Sequence, residues 1–428
     1  MTERPWRRAI AWLLFLGPFF FASYGFANWL ASRRAHVGAI VFGWEHAIPF
    51  MAWTIVPYWS IDVLYVISIF ICTIRNELNR HAQRLLTVQV VSILFFIAVP
   101  LRFSFDKPDA HGLFGALFTA LGSFDKPFNQ APSLHIGLLV IIWTRFAAHV
   151  ATRWRWLLHA WMVLIGLSVL TTYQHHFIDL PTGLTVGFIA LWALPDDVES
   201  PLRQFALTGD RQRKRLAFAY AIGALACAGL AFLGGAWLWF FWLAAALALV
   251  ATNYVALGER GFQKGASGQL SVGARGLYAP YLAAAFINSR MWTRRHRQPA
   301  EVVDGIWIGR IPGDLRNSKF ASVVDLTAEL SCGPFGDRFY RSVPVLDLTV
   351  PCSASLHEAA EAIEVARQRG PVLVCCALGY SRSAAAVVAW LLMTHRAETV
   401  ACAMAIVRKA RPAIVLKNEH CAALETFA

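Results

Sequence analysis

Apolar runs near the roughly 20 residues needed to cross a bilayer recur along the chain. They begin around Ala9, Met51, Leu85, Pro132, Trp154, His175, Leu216 and Trp237. This pattern predicts about eight helical spans. A single run can instead be a buried core helix, the one after Met51 most readily, but so many together exclude an ordinary soluble fold. The first run is long and lacks a clear small-residue cleavage site, so it reads as a span and not as a cleaved signal peptide. A polar stretch from Asp196 to Arg215 separates six spans from a later pair. Residues 259–300 read as a basic, glycine-containing connector. Within it Leu277 to Trp292 mixes apolar bulk with Arg290, and Arg294 and Arg295 follow, the composition of an interfacial helix. From about Glu301 the period shortens: β runs at Val323 to Leu326 and Val372 to Cys375 alternate with helical stretches from His357 and from Ser383. The expected fold is therefore multidomain. An all-α polytopic membrane bundle occupies 1–195, a linker with two more transmembrane helices 196–258, and a cytosolic α/β domain with a central, mainly parallel sheet 301–428.

Composition agrees with a membrane chain, since 57% of the 428 residues are hydrophobic and only 15% are charged. The net charge of +13 raises nucleic acid as a partner, but Lys and Arg at span ends set topology and meet anionic head groups. Arg4, Arg7 and Arg8 precede the first span; Arg75, Arg80 and Arg84 follow the second; Arg145, Arg153 and Arg155 separate the fourth from the fifth; Arg203, Arg211, Arg213, Lys214 and Arg215 follow the sixth. Every second loop is basic, which places those loops, the N-terminus and the α/β domain in the cytoplasm of a multi-pass protein, read as one of a bacterial inner membrane. Arg33 and Arg34 fit this rule poorly. The eight cysteines, all but Cys72 and Cys227 after residue 330, lack the spacing of a disulfide framework or zinc site. No metal or cofactor is expected.

Three segments on the non-cytoplasmic side carry polar residues that hydrocarbon tolerates only for a purpose: Arg102 to Pro108, Pro132 to His135 and His175 to Asp179. His175 and Asp179 are four apart, so on one helical turn the carboxylate reaches the imidazole and prepares it as a nucleophile. His135 is a second imidazole able to protonate a leaving oxygen, and Ser133, Lys107 and Arg102 are candidate phosphate ligands. Two alternatives stay open: His176 as the reactive imidazole, and His135 as a hydrogen-bonded helix-end residue. The stretches FDKPFNQAPSLHIG at 124–137 and TTYQHHFIDLPTG at 171–183 resemble the type 2 phosphatidic acid phosphatase superfamily. They look most like its inositol phosphorylceramide and sphingomyelin synthase branch. The resemblance covers about residues 45–195 and implies a phosphohistidine at His175, acid help from His135 and orientation by Asp179. The family's usual Arg before Pro is Lys107 here, and the Arg that many members place six residues before the nucleophile is Val169.

Downstream, VLVCCALGYSRSAAAVVAWLL at 372–392 places Cys376 after a β run, then a tight loop with Gly379, then Arg382 and Ser383 at a helix start. Five intervening residues let the loop curl so that backbone N–H groups face phosphoryl oxygens, with the helix N-terminus behind them. The same field favours a nucleophilic Cys376 thiolate, while Arg382 grips two phosphate oxygens and Ser383 bonds the leaving sulfur. This stretch resembles the cysteine-dependent protein tyrosine phosphatases, and the segment from Asp304 onward resembles their dual-specificity group. DGIWIGR at 304–310, VVDLTAEL at 323–330, VLDLT at 345–349 and ARP at 410–412 match as well. The resemblance implies that Asp347 is the general acid. It departs at Cys375, where the group usually has His, leaving adjacent thiols able to oxidise.

The reading is a bifunctional phosphatase acting on lipid phosphoesters at His175 and on phosphate monoesters at Cys376. The alternative is a lipid phosphotransferase passing a head group to an alcohol, with an accessory cysteine phosphatase domain; a scaffold with vestigial loops is a third class. Residues 377–381 carry no Lys or Arg, which favours a simple monoester over inositol polyphosphates. Phosphotyrosine, phosphoserine or a lipid monoester fits, and tethering favours the lipid. Expected partners are membrane lipids, with a phosphoprotein open and no nucleic acid.

Overall fold

The computed structural model describes residues 4–427 and divides into two compact units at Asp196. The first is all helical: α1 (Trp6–Ser32), α2 (Ile55–Phe70), α3 (Arg75–Ala98), α4 (Gly112–Gly122), α5 (Leu134–His149), α6 (Arg155–Thr171) and α7 (Asp179–Ala193). Leu85, Val88, Leu139, Ile142, Ile165 and Val186 are among its core residues. The second unit begins with the helix pair α8 (Arg211–Ala231) and α9 (Phe240–Thr252), and α9 runs into a π turn at Asn253–Leu257.

Among the described residues six helices are long and apolar enough to cross a membrane: α1, α2, α3, α6, α8 and α9, where α2, α6 and α9 are counted with their flanking turns. This corrects the expectation of about eight. The runs at Pro132 and His175 yield α5 and α7, of 16 and 15 residues, about 24 and 22 Å long. Each run spends its first residues outside the helix. Ser133 caps α5 by accepting from Ile136 N, and α7 starts only at Asp179.

The charge pattern also needs correction at two positions. Arg84 and Arg145 are buried: Arg84 pairs with Asp196 at 2.9 Å, and Arg145 pairs with Asp196 at 3.4 Å and with Glu77. Their charge is neutralised inside the first unit and is not presented to head groups.

After α9 come α10 (Val272–Leu277) and α11 (Ala279–Trp292), then five strands: β1 (Ala300–Val303), β2 (Ile306–Arg310), β3 (Ser322–Thr327), β4 (Phe339–Val345) and β5 (Val372–Cys376). Their order is β1-β2-β5-β3-β4, with β1 antiparallel to β2 and every other pairing parallel, so the sheet is mixed. The helices α12 (Ser353–Arg367), α13 (Arg382–Met393), α14 (Val400–Ala410) and α15 (Asn418–Phe427) complete the unit. The central strand β5 is buried along its whole length. Its side chains alternate between two apolar clusters, Val372, Val374 and Cys376 in one, Leu373 and Cys375 in the other.

The stretch expected as a connector is built into this unit. Lys264 reaches the end of β3, where its ammonium donates to Asp325 Oδ2 at 2.5 Å, Thr327 Oγ1 at 2.7 Å and Thr327 O at 2.9 Å. Tyr340 Oη donates to the same carboxylate at 2.8 Å. Both charged groups are almost fully buried, so each depends on the other for its solvation. Lys264→Met should therefore destabilise the second unit by about 3–5 kcal/mol, because it strands the Asp325 carboxylate. The double variant Lys264→Met with Asp325→Asn should recover most of that loss. Thermal unfolding of the full chain in detergent checks both.

Candidate active site

At the cysteine loop, the strand β5 ends at Cys376 and α13 begins at Arg382. Three carbonyls of the loop accept from donors outside it. Ala377 O accepts from Ser289 Oγ of α11 at 2.5 Å, Leu378 O from Arg411 Nη2 at 3.2 Å, and Tyr380 O from Val415 N at 2.9 Å. With these carbonyls turned out, the following peptide N–H groups are free to line the inside of the curl. Gly379 N already donates to Cys376 Sγ at 3.2 Å, and Ser383 Oγ lies 3.2 Å from the same sulfur. The N-terminus of α13 and the Gly379 N–H suit an oxyanion placed beside Sγ.

Arg382 is held differently from expectation. Its two terminal nitrogens bond both oxygens of Glu329 at 2.7 and 2.8 Å, Val345 O at 2.8 Å and Asp347 Oδ1 at 2.9 Å. Four of the five guanidinium N–H groups are thus occupied, leaving Nε. A two-point grip on phosphate requires Asp347 to release its nitrogen. Burial pushes the Asp347 carboxyl upward, with Glu329 adding to the shift and Arg382 opposing it. At Glu329 burial also acts upward, but the Arg382 charge and hydrogen bonds prevail and hold the carboxyl below its ordinary range.

Asp347 sits in a turn whose next residue, Leu348, has φ +56°. Two side chains from the α8–α9 region hold that turn: Tyr254 Oη donates to Asp347 O at 2.8 Å and Gln212 Nε2 to Leu348 O at 2.5 Å. Glu329, Tyr254, Gln212 and Ser289 were missed as site residues in the sequence. Glu329 lies within the VVDLTAEL run, but the other three precede the α/β segment and carry no local signal.

Cys375 does not form a reactive pair with Cys376. The two side chains point to opposite faces of β5, and burial pushes the Cys375 thiol well above its ordinary value. The expected oxidation of adjacent thiols is disfavoured by this alternation.

In the first unit, the structure brings together His175, Asp179 and Ser133. His175 Nδ1 lies 3.0 Å from Asp179 Oδ2 and its Nε2 lies 3.1 Å from Ser133 Oγ, all three being buried. Donation from Nδ1–H to the carboxylate leaves Nε2 as the lone-pair nitrogen, facing the Ser133 hydroxyl. His176 is fully engaged: Nδ1 lies 3.0 Å from Glu45 Oε2, and Nε2 accepts from Ser104 N at 3.1 Å. That removes its lone pair from reaction. Glu45, also missed in the sequence, accepts from Phe177 N at 2.9 Å as well.

His135 stacks on Tyr58 with ring centroids 4.3 Å apart, and its buried Nε2 has no hydrogen-bond partner among the described residues. Arg102 and Lys107 are exposed, Lys107 lying 5.3 Å over the Phe118 ring. Neither cationic side chain bonds His175, Asp179 or Ser133 among the described residues, so the expected cluster is only partly assembled.

Residues 311–428 match the family model described as dual specificity phosphatase, catalytic domain. The chain therefore carries a C-terminal domain of this phosphatase type, and through it is a phosphoric monoester hydrolase. Among solved structures it is similar to human DUSP28 at 26% identity, covering 30% of this chain and 94% of that one with TM-score 0.28. Tk-PTP in its active form is similar at 26% identity, covering 30% and 95% with TM-score 0.27. PTPMT1 in complex with PI(5)P is similar at 20% identity, covering 30% and 93% with TM-score 0.27. No curated protein matches the chain.

The tightness of the loop yields a direct test. Gly379 has φ +75°, and a Cβ there would lie 2.4 Å from Gly309 C, 2.5 Å from Gly309 O and 2.8 Å from Arg310 N. Gly379→Ala must push the loop off the edge of β2, so hydrolysis of an aryl phosphate should fall by about 100-fold or more. The affinity for vanadate should fall in parallel, measured as its inhibition constant.

Proposed function

We propose that the chain is a membrane-embedded enzyme with two phosphoester sites, a phosphocysteine site at Cys376 and a phosphohistidine site at His175. The observation that carries the first is the outward anchoring of the Ala377, Leu378 and Tyr380 carbonyls around Cys376, which leaves an inward cradle of N–H donors. In this reading Cys376 Sγ attacks phosphorus, the ester P–O bond breaks, and Asp347 gives its proton to the leaving oxygen. Arrival of the phosphate displaces Asp347 from Arg382 Nη2. The guanidinium edge thus freed binds phosphate while the carboxyl turns to the leaving group, and Glu329 keeps the guanidinium plane fixed. Water then attacks the phosphocysteine, returns a proton to Asp347 and releases inorganic phosphate and the thiolate.

At the histidine site the supporting observation is the Asp179–His175–Ser133 chain. Asp179 sets the tautomer, Nε2 is the nucleophile, and Ser133 is placed to bond a phosphoryl oxygen once that oxygen replaces Nε2 as its acceptor. His135 supplies the proton for the leaving group through its unpartnered nitrogen, while Arg102 and Lys107 draw the anionic head group. The substrate class favoured at both sites is a lipid phosphoester. For the cysteine site this follows from the hold of Tyr254 and Gln212, on or beside apolar helices, over the acid turn.

Two sets of variants test the scheme. Asp347→Asn should lower turnover of an alkyl phosphate by about 100-fold or more, with a smaller loss for a good aryl leaving group. Because the Asp347 carboxyl is shifted upward, it stays protonated to higher pH. The wild-type alkyl rate should fall as pH rises through that shifted value, and the variant should lose that limb; an identical profile in both would remove Asp347 as the acid. Separately, Cys376→Ser should abolish aryl phosphate hydrolysis and spare lipid phosphoester turnover at His175, with His175→Ala giving the converse. Loss of both activities in either folded variant defeats the two-site reading.

A further inference from the structure

The segment that braces the cysteine loop carries a second arrangement that catalysis does not use. The last turns of α11 expose four large apolar side chains, Phe286, Ile287, Met291 and Trp292, the last at 69% exposure. Exposing four such groups within seven residues marks a contact with something apolar. The same helix packs against α9, one of the helices long and apolar enough to span a bilayer. The chain then becomes strongly basic at once. Arg294, Arg295, His296 and Arg297, with Arg411 and Pro412, line a pocket of about 440 Å³.

Among the described residues none of Arg294, Arg295, Arg297 and Arg411 forms an ion pair with a carboxylate. Arg411 is the most informative, since it is only 3% exposed and a buried guanidinium without an anion is costly. It is held by three main-chain carbonyls, His296 O at 3.3 Å, Gln298 O at 3.2 Å and Leu378 O at 3.2 Å, and among the described residues its buried Nε has no hydrogen-bond partner. The pocket is also tied to the catalytic loop, through the Arg411 bond to Leu378 O and through Tyr380 Oη, which donates to Trp292 O at 3.3 Å.

We propose that Phe286 to Arg297, together with Arg411, is a docking site for anionic phospholipid, separate from the phosphate cradle. The apolar side chains enter the acyl boundary, and the arginines receive the phosphodiester head group. An aromatic and aliphatic patch followed immediately by arginines has the chemistry of an anionic bilayer surface, apolar on one side and negative on the other. A free phosphate would use the arginines but leave the apolar patch without a function. The dock sets the cysteine loop at the lipid surface, where a lipid monoester presents its phosphate; this consequence alone rests on the Cys376 reading.

The test uses the full chain in a neutral detergent, titrated with short-chain phosphatidylglycerol, short-chain phosphatidylcholine and inorganic phosphate. Phosphatidylglycerol is a diester with no monoester for Cys376 to attack, so its binding reports on the dock even if the cysteine reading fails. That failure would show separately, as undiminished aryl phosphate hydrolysis in Cys376→Ser. Phosphatidylglycerol should bind at least tenfold more tightly than phosphatidylcholine, and the triple variant Arg294→Gln, Arg295→Gln, Arg297→Gln should erase the difference. All three side chains are exposed, so the variant should fold and hydrolyse aryl phosphate within about twofold of wild type. In nanodiscs containing anionic lipid, its turnover of a bilayer-resident lipid monoester should fall at least tenfold and lose most of its salt dependence. Equal binding of phosphatidylglycerol by variant and wild type would overturn the proposal. So would displacement of the lipid by inorganic phosphate that binds as tightly, which would mark a free-anion pocket.

Discussion

A loop that cradles phosphate must turn its N–H groups inward, and it can do so only if its carbonyls find donors outside. In this chain those donors come from far along the sequence: Ser289 on α11 for Ala377, Arg411 after α14 for Leu378, and Val415 for Tyr380. A buried carbonyl left without a donor costs about as much as a lost hydrogen bond. The conformation of this loop is therefore not a property of residues 376–382 alone. It depends on α11 lying against one side of the loop and on Arg411 reaching it from another. Close packing of Gly379 on the Gly309–Arg310 backbone fixes the loop from a third direction.

The second organising constraint is the cost of burying charge, which both units meet by pairing. Arg382 with Glu329 and Lys264 with Asp325 lie in the second unit; Arg84 and Arg145 with Asp196, and Glu45 beside His176, lie in the first. A hydrogen-bonded partner offsets desolvation and fixes orientation at the same time. Orientation is most constrained at Arg382, where Glu329, Val345 and Asp347 together occupy both terminal nitrogens. At His175 the carboxylate of Asp179 similarly selects the ring nitrogen that faces Ser133. Cys376 and His175 differ in chemistry, yet each has a neighbouring group that fixes its surroundings: Ser383 beside the sulfur and Asp179 beside the imidazole.

Much was legible in the sequence because it depends on local spacing. The apolar runs located the long helices, the alternation after Glu301 predicted an α/β domain, and the spacing from Cys376 to Arg382 pointed to the loop that the structure contains. His175 and Asp179 met as their separation by four residues implied, here across the turn into α7. Local pattern misjudged α5 and α7 because it counts apolar residues without registering that Ser133 and Asp179 start the helices late. It also could not tell that Arg84 and Arg145 are neutralised inside the bundle, since charge counts carry no information about partners.

By itself the sequence determined where the chain is apolar, which part is helical and which part carries strands, and where the Cys376-to-Arg382 loop and the His175–Asp179 pair lie. These follow from periodicity and covalent spacing over a few residues. Only the tertiary structure decided what those loops lean on. Glu329 lies 53 residues before Arg382, Tyr254 lies 93 before Asp347, and Ser289 lies 88 before Ala377. Contacts at such separations are set by how the helices and the sheet pack, and a hydrogen bond formed by packing leaves no periodic trace in the order of residues. The opposite facing of Cys375 and Cys376 is the simplest case: neighbours in sequence, they are kept apart by the pleat of one strand.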